Sequence, residues 1–322
     1  MKPYLIALLL AAVSATVPAF VAAQPYPSKP IRLVVPFATG GGSDTVGRLL
    51  AQRMSDVLGV SVVVDNRPGA AGVLGTEIVA RAPGDGYTLL LADSPHTFNH
   101  LVLAKVPYDP LKDFKPIAVV ARTPLALAVP VKFAAQSARE FIALAKAQPG
   151  QISMGSGGIG SIAHLAQELF KMKTATQLIH VPYKGSGPAI IDLVGGQIQA
   201  ILTPVPGVVP QVQGGKLRAL AVTSAKRSSV MPDVPTFAEL GLGDLEIYNW
   251  YGVLAPAQTP PEVIAKLSDA IRQVMAIPAV QERLNAQLLE PSNSTPQEFQ
   301  TLLERDAQSW ASIVKAAQIK PE

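Results

Sequence analysis

The chain of 322 residues has no cysteine. That excludes disulfide bracing, a thiolate nucleophile, a thiolate metal site and a lipid-modified N-terminal cysteine. Charge is sparse as well: Asp, Glu, Lys and Arg make up 16% of the residues, and the net charge of +4 is gathered into no basic cluster. Nucleic-acid binding draws on a concentrated Lys/Arg stripe, so that class is set aside. Beyond the first residues no apolar run approaches the roughly 20 residues that cross a bilayer. What the chain does have is apolar content, 48% of residues, at a length that suits one large or two ordinary domains with a sizeable core. Its 29 prolines and 25 glycines are spread along the sequence, which implies many strand–helix junctions and no low-complexity tract.

The start of the chain reads differently from the rest. Lys2 supplies a positive n-region, residues 5–13 an apolar core, and Val21-Ala22-Ala23 a small-residue cleavage signal ahead of Gln24. This pattern predicts a secretory signal peptide over residues 1–23 and a secreted, soluble mature product. Ser14, Thr16 and Pro18 interrupt the run, which argues against a membrane anchor. Without disulfides, a secreted chain of this size must rest on its core alone.

Two loops rich in glycine and serine dominate the remainder of the chain. Pro36-Phe37-Ala38-Thr39-Gly40-Gly41-Gly42-Ser43-Asp44 comes after the apolar run Ile31-Arg32-Leu33-Val34-Val35. Met154-Gly155-Ser156-Gly157-Gly158-Ile159-Gly160-Ser161 comes after a weaker one. Each precedes an amphipathic stretch, so the order is strand, bare loop, helix. The first turn of a helix carries unpaired N–H groups and a partial positive charge, which makes it an anion site. Two such sites could hold both ends of a small dianion.

The pattern around these loops alternates strands and helices in two α/β halves. In the first half, a helical run from Val46 to Leu58 opens at Ser43 or Asp44 as N-cap and stops at Gly59; strands are expected at 60–64 and 87–92 and a helix at 72–81. In the second, Ser137-Ala138-Arg139-Glu140 reads as a capping box, with a helix at 162–171 and strands at 177–181, 197–202 and 217–223. The tail is helical, and Thr259-Pro260-Pro261-Glu262 and Thr295-Pro296-Gln297-Glu298 each combine a capping box with proline at the first helical position. The tail helices are expected to pack on the first half. The chain would then cross between halves twice, near 119–130 and 246–256, leaving a ligand cleft between them.

Several residue constellations admit more than one reading. The first loop lacks the lysine of a nucleotide P-loop and the spacing of a dinucleotide fingerprint, which leaves a backbone anion cradle or a plain tight turn. Ser161 and His164 stand three apart at a helix start and invite a secreted serine hydrolase, but no Gly-x-Ser-x-Gly elbow exists; Ser161 reads as an N-cap or ligand donor and His164 as a hydrogen-bonded histidine beneath the loop. His96 and His100 lie four apart, yet no acid completes a metal motif and no metal or cofactor is expected. Asp44, Asp65, Asp93 and Asp192 are isolated acids near loops, with Asp44 alone inside a candidate site. Lys184 and Arg67 are the cations best placed to meet an anion, and Phe37, Tyr183 and Trp250-Tyr251 are aromatics near the expected cleft.

The chain resembles the Bug family of periplasmic solute receptors, the extracytoplasmic components of tripartite tricarboxylate transporters. The residues that carry the likeness are Ile31-Arg32-Leu33-Val34-Val35-Pro36-Phe37 running into Gly40-Gly41-Gly42-Ser43-Asp44, then Val64-Asp65-Asn66-Arg67-Pro68-Gly69-Ala70 and Asp85-Gly86-Tyr87-Thr88-Leu89-Leu90. They continue through Val106-Pro107-Tyr108-Asp109-Pro110, His180-Val181-Pro182-Tyr183-Lys184-Gly185, Leu217-Arg218-Ala219-Leu220-Ala221-Val222-Thr223 and Pro232-Asp233-Val234-Pro235-Thr236.

The resemblance implies an α/β fold, a two-domain type II periplasmic binding protein clamshell with two strand crossings. Domain one would take 24–125 and 247–322, and domain two 126–246. It implies a monomer without catalytic activity that grips a carboxylate and meets membrane transporter subunits transiently. A sensory role, with the closed form docking on a signalling receptor, is the alternative. Carried onto this sequence, the domain-one contacts would be Phe37, Thr39, Gly40, Gly41, Ser43, Asp44 and Ser94. Domain two would offer Ser156, Gly157, Ser161, His164, Tyr183, Lys184 and Thr203. Many relatives have an acid followed by asparagine where this chain has Thr203-Pro204, which implies a ligand without a free amine, such as a di- or tricarboxylate or an aromatic acid.

Overall fold

The central strands of the first half are buried on both faces, which explains why Leu33, Val34 and Val35 are apolar in succession. In β1, Leu33 and Val35 face one core and Val34 the other, and none is exposed. The computed structural model describes residues 26–40, 42–228 and 230–321; the expected signal peptide and Gly41 lie outside them.

In chain order the elements are β1 (Ile31–Val35), α1 (Gly42–Leu58), β2 (Val62–Asn66), α2 (Val73–Ala80), β3 (Thr88–Asp93), α3 (Asn99–Val102) and β4 (Phe114–Pro130). Next come α4 (Ala138–Ala147), β5 (Ser153–Ser156), α5 (Ile162–Thr174), β6 (Ile179–Pro182), α6 (Ser186–Val194), β7 (Ala200–Pro204), α7 (Val205–Gln213) and β8 (Leu217–Val222). The tail holds β9 (Tyr248–Pro256), α8 (Pro261–Met275), α9 (Pro278–Ala286), β10 (Glu290–Pro291) and α10 (Pro296–Ala316).

Two sheets meet along one long strand, giving a two-domain α/β fold. In the first sheet β2, β1 and β3 run parallel, and β3 pairs antiparallel with β9, which pairs antiparallel with β4. The β4–β9 register runs from Phe114 opposite Pro256 to Pro124 opposite Tyr248. From Leu125 onward β4 belongs to the second sheet, pairing with β7 and β8, and β7 leads through β5 to β6. At the second crossing Ile247 N donates to Thr223 O at 3.3 Å, just before β9 begins.

Each sheet is covered on both faces. Leu50 and Met54 of α1 and Leu267 and Ile271 of α8 close one side of the first sheet; Phe299 and Leu303 of α10 pack with Trp250 on the other. In the second sheet Val205 and Val208 of α7 cover one face, and Phe141 of α4 and Phe170 of α5 the other. Burial of one such side chain contributes about 1.5–3 kcal/mol. The tail does more than pack on the first half. Trp310 of α10 packs against Phe98 with ring centroids 5.3 Å apart, and both join the core that contains Leu165 and Phe170 of α5, so α10 ties the halves together.

Helix starts show where the reading of the sequence needed adjusting. Thr295 forms a full capping box with Glu298 at α10. Thr259 does not cap α8, because the helix starts at Pro261 and leaves Glu262 one position too early to reach back. Ser137 accepts Glu140 N at 3.2 Å, but the Glu140 carboxylate takes the N–H of Gln136, one residue upstream of the cap. Among the described residues no helix is long and apolar enough to cross a membrane.

Candidate functional site

The loops after β1, β3, β5 and β6 all leave the carboxyl ends of parallel strands, and the halves touch there. A Cβ on Gly160 would sit 3.3 Å from Val102 and 3.4 Å from Asn99, both in α3 just beyond β3. The carboxyl ends of the two sheets therefore open onto one cleft.

On the first side, the loop before α1 is held by its own acid. Asp44 Oδ2 accepts Gly40 N at 2.9 Å and Arg48 Nε at 3.0 Å, while Asp44 Oδ1 accepts Asn66 Nδ2 at 3.0 Å. Asn66 Nδ2 also donates to Phe37 O at 3.1 Å. Burial pushes the Asp44 carboxyl up, but the Arg48 guanidinium, the Gly40 N–H and Asn66 outweigh it and hold it below its ordinary value. Asp44 is thus ionised at neutral pH and shapes the loop. Thr39 and Gly40 are exposed, Phe37 is half-buried against Gly72, and Ser43 is buried in the first turn of α1, beside Asp93.

Ser94 is fully buried and turned away from the loops. Its Oγ accepts Trp250 N at 3.0 Å and donates to Tyr248 O at 3.3 Å, so it fastens the end of β3 to the crossing strand. The residue before it, Asp93, is the one that faces α1, and spacing alone gave no signal for that.

The second side is braced by histidines. Ser156 Oγ accepts Gly158 N at 3.1 Å and lies 2.6 Å from His180 Nε2. The His180 ring stacks on His164 with centroids 4.3 Å apart. Burial, then His164, then Lys171, push His180 down to about 4, so its ring is neutral at neutral pH. His164 lies 4.0 Å from Glu168, which is paired with Lys171 at 2.6 Å. Ser161 caps α5 by accepting His164 N at 3.2 Å, and Gln167 Nε2 donates to Gly155 O. His164 therefore sits beneath the loop, while the serine brought to a histidine ring is Ser156 and not Ser161.

The loop after β6 lies alongside. Gly185 N donates to Gly157 O and Tyr183 N to Ser156 O, both at 3.1 Å. Helix α6 starts at Ser186 with no side-chain cap, and a Cβ on Gly157 would sit 3.5 Å from Ser186 N, so this helix start adjoins the loop before α5. Tyr183 Oη donates to Asp192 at 2.8 Å, Lys184 is exposed, and Thr203 is fully buried with its hydroxyl 3.4 Å from Ser186 Oγ. The structure thus gathers Ser156, Gly157, Ser161, His164 and Tyr183 into one brace, with Thr203 beneath it.

His96 and His100 do not converge. His96 lies in a 3-10 turn, buried between Tyr108 and Phe114 with Nε2 at 3.0 Å from Pro110 O, while His100 is in α3. Burial pushes His96 down to about 4. Among the described residues no three His, Asp or Glu side chains gather as a metal site. A separate groove of about 860 Å³ runs between α10, the end of α5 and the crossing strands; it contains none of the loop residues, and of its charges Arg122 pairs with Glu290 and Lys173 with Asp244.

Comparison with known proteins bears on this geometry. The model of the tripartite tricarboxylate transporter family receptor matches residues 46–319. Protein BugT of Bordetella pertussis is 40% identical over 304 residues, covering 94% of this chain and 93% of its own. The solved structure of R. palustris Rpa4515 with adipate is 36% identical at a TM-score of 0.84, covering 92% of this chain and all of that one. MatC from Rhodopseudomonas palustris with bound malate is 30% identical at a TM-score of 0.80, covering 90% of this chain and all of that one.

Proposed function

The chain belongs to the tripartite tricarboxylate transporter receptor family, and on that premise we propose that it captures a small carboxylate between its halves and presents the closed form to a membrane transporter. The observation that carries this reading is the convergence of three helix starts, α1, α5 and α6, on one cleft. Their N–H groups stabilise negative charge without a fixed cation, so the walls of the cleft are left to select among acids. Adipate in Rpa4515 and malate in MatC point to a dicarboxylate as the ligand class. A ligand that bridges both halves has higher affinity for the closed state and shifts the population toward it.

The same reading extends to the organisation of the chain. We place domain one at 24–125 and 247–322 and domain two at 126–246, supported by the change of partners along β4 after Pro124. The protein acts in the periplasm as a monomer after removal of residues 1–23. It binds without catalysis: Ser156, the serine beside a histidine ring, is fully buried and already accepts the Gly158 N–H. The contacts we assign are the backbone around Thr39 to Ser43 on one side, and Gly157, Ser161 and the 183–187 loop on the other.

A thermal-shift screen against adipate, malate, citrate, benzoate and aspartate tests the reading. A ligand at a hundredfold excess over Kd stabilises the folded state by about 2.7 kcal/mol. A shift with one or more dicarboxylates and none with aspartate is expected; a shift with aspartate alone would refute the assignment.

A further inference from the structure

One acid at the cleft is not consumed by either loop. Asp93 ends β3, next to β1 in the sheet and directly opposite Tyr251 in the β3–β9 register. Ser43, in the first turn of α1, lies beside its carboxyl group and favours the ionised form. The Tyr251 hydroxyl presses on the same turn, since a Cβ on Gly42 would lie 2.5 Å from it. Three elements thus close around Asp93, which nonetheless remains partly exposed at the strand end that opens onto the cleft.

Its neighbours leave it without a counter-charge. From β9 it faces the Tyr251 phenol, and from the loop after α3 the Tyr108 phenol. On α1 Asp44 is bound to Arg48, Gly40 and Asn66, and on α2 Glu77 is paired with Arg81 at 2.6 Å. β1 contributes apolar Val35, and in the 3-10 turn Ser94 and His96 are directed to β9 and Pro110. An Asp93 anion is stabilised by its own backbone N–H and the Ser43 hydroxyl; burial outweighs both and pushes the carboxyl up to about 7.

Resting on the carboxylate reading, we propose that Asp93 is the proton-linked contact of the cleft: as a neutral acid it donates its hydrogen to a ligand carboxylate seated at the start of α1, so that capture draws a proton from solution. Two carboxyl groups that share one site retain a proton, because both cannot ionise cheaply side by side. A ligand ammonium would instead seek the ionised form, and its affinity would rise with pH.

Titration calorimetry with adipate and with malate, from about pH 5.5 to about pH 8.5 in buffers of different ionisation enthalpy, tests this. The expected Kd is constant at the acid end and climbs toward about tenfold per pH unit above about pH 7, with net proton uptake. Both effects are lost in Asp93→Asn, whose amide donates a hydrogen without titrating. A wild-type Kd that stays flat with no uptake overturns the proposal and leaves the carboxylate reading standing; so does a slope that persists in the variant, or binding that tightens as pH rises. Absence of binding by either acid at every pH removes the carboxylate reading and this proposal with it.

A measurement without ligand checks the premise. An acid whose folded pKa is raised holds a proton that the unfolded chain has lost, so its stability contribution falls as pH rises from about 4 to about 7. Asp93→Asn should therefore raise the melting temperature more at about pH 8 than at about pH 5. An equal difference at both pH values would overturn the proposal.

Discussion

The two glycine-rich loops do the same task with opposite chemistry. The loop before α1 is braced by ions: Asp44 takes Gly40 N, Arg48 and Asn66, and the Arg48 side chain is 56% exposed. The loop before α5 is braced by a pair of rings, with Ser156 against the neutral His180 and His180 stacked on His164. An ionic brace with an exposed arm is weakened by salt and holds until its acid is protonated. A stacked, half-buried histidine brace is little affected by salt and fails when the rings take up protons. The first loop is therefore held by an acid paired with Arg48, and the second by a histidine that is neutral at neutral pH.

The backbone gives the sharpest way to break the comparison. Gly40 and Gly158 both have positive φ, +85° and +116°, but a Cβ on Gly40 meets nothing within 4 Å whereas one on Gly158 would sit 2.8 Å from Tyr183 O. Gly40→Ala should cost about 1 kcal/mol, the strain of a left-handed non-glycine residue. Gly158→Ala adds a clash with a backbone carbonyl that cannot swing away, so about 2–4 kcal/mol is expected, with loss of ligand-induced stabilisation. Urea unfolding of both variants checks the ranking; equal costs would show that the 183–187 loop gives way freely.

Acid should separate the walls next. The folded pKa of His180 is lowered to about 4. A lowered histidine contributes stability above its ordinary pKa of about 6.5 and loses it as pH falls toward about 4. Discounted for solvent screening, the loss is about 1–2 kcal/mol. Wild type should therefore lose that much more than His180→Asn between about pH 7 and about pH 4.5, measured by urea unfolding. Parallel curves would mean that the ring is not what holds the loop.

How far these walls could be read beforehand depends on how local their causes are. β1, the start of α5 at Ser161 and the capping box at Thr295 are set by neighbouring residues, and the sequence pattern locates them. The crossing strand β9 was also readable, expected over 246–256 and formed over Tyr248–Pro256. α7 was not, because Pro206 and Pro210 argue against a helix, yet Val205, Val208 and Val209 bury one face of it in the second core. Asp93 and His180 owe their roles to strand register and ring stacking between residues far apart in the chain: Asp93 meets Tyr251, and His180 meets Ser156 and His164. No spacing rule reports such pairs. The same holds for Ser94 and Asp93, adjacent residues whose partners, Trp250 and Tyr251, come from β9.

The smallest expected effect is the one that divides two roles of a single hydroxyl. Ser161 Oγ accepts His164 N and caps α5. Ser161→Ala should cost about 1 kcal/mol, and Ser161→Gly only a few tenths. Ser161→Asp restores the cap, because a carboxylate accepts the same N–H and suits the positive end of the helix. It also places a negative charge where an acid ligand is to be held. Stability should thus recover while carboxylate binding, measured by calorimetry, weakens beyond that of Ser161→Ala. If Ser161→Asp bound carboxylates as well as wild type, the start of α5 would be capped for folding alone, and the ligand would lie against α1 and α6.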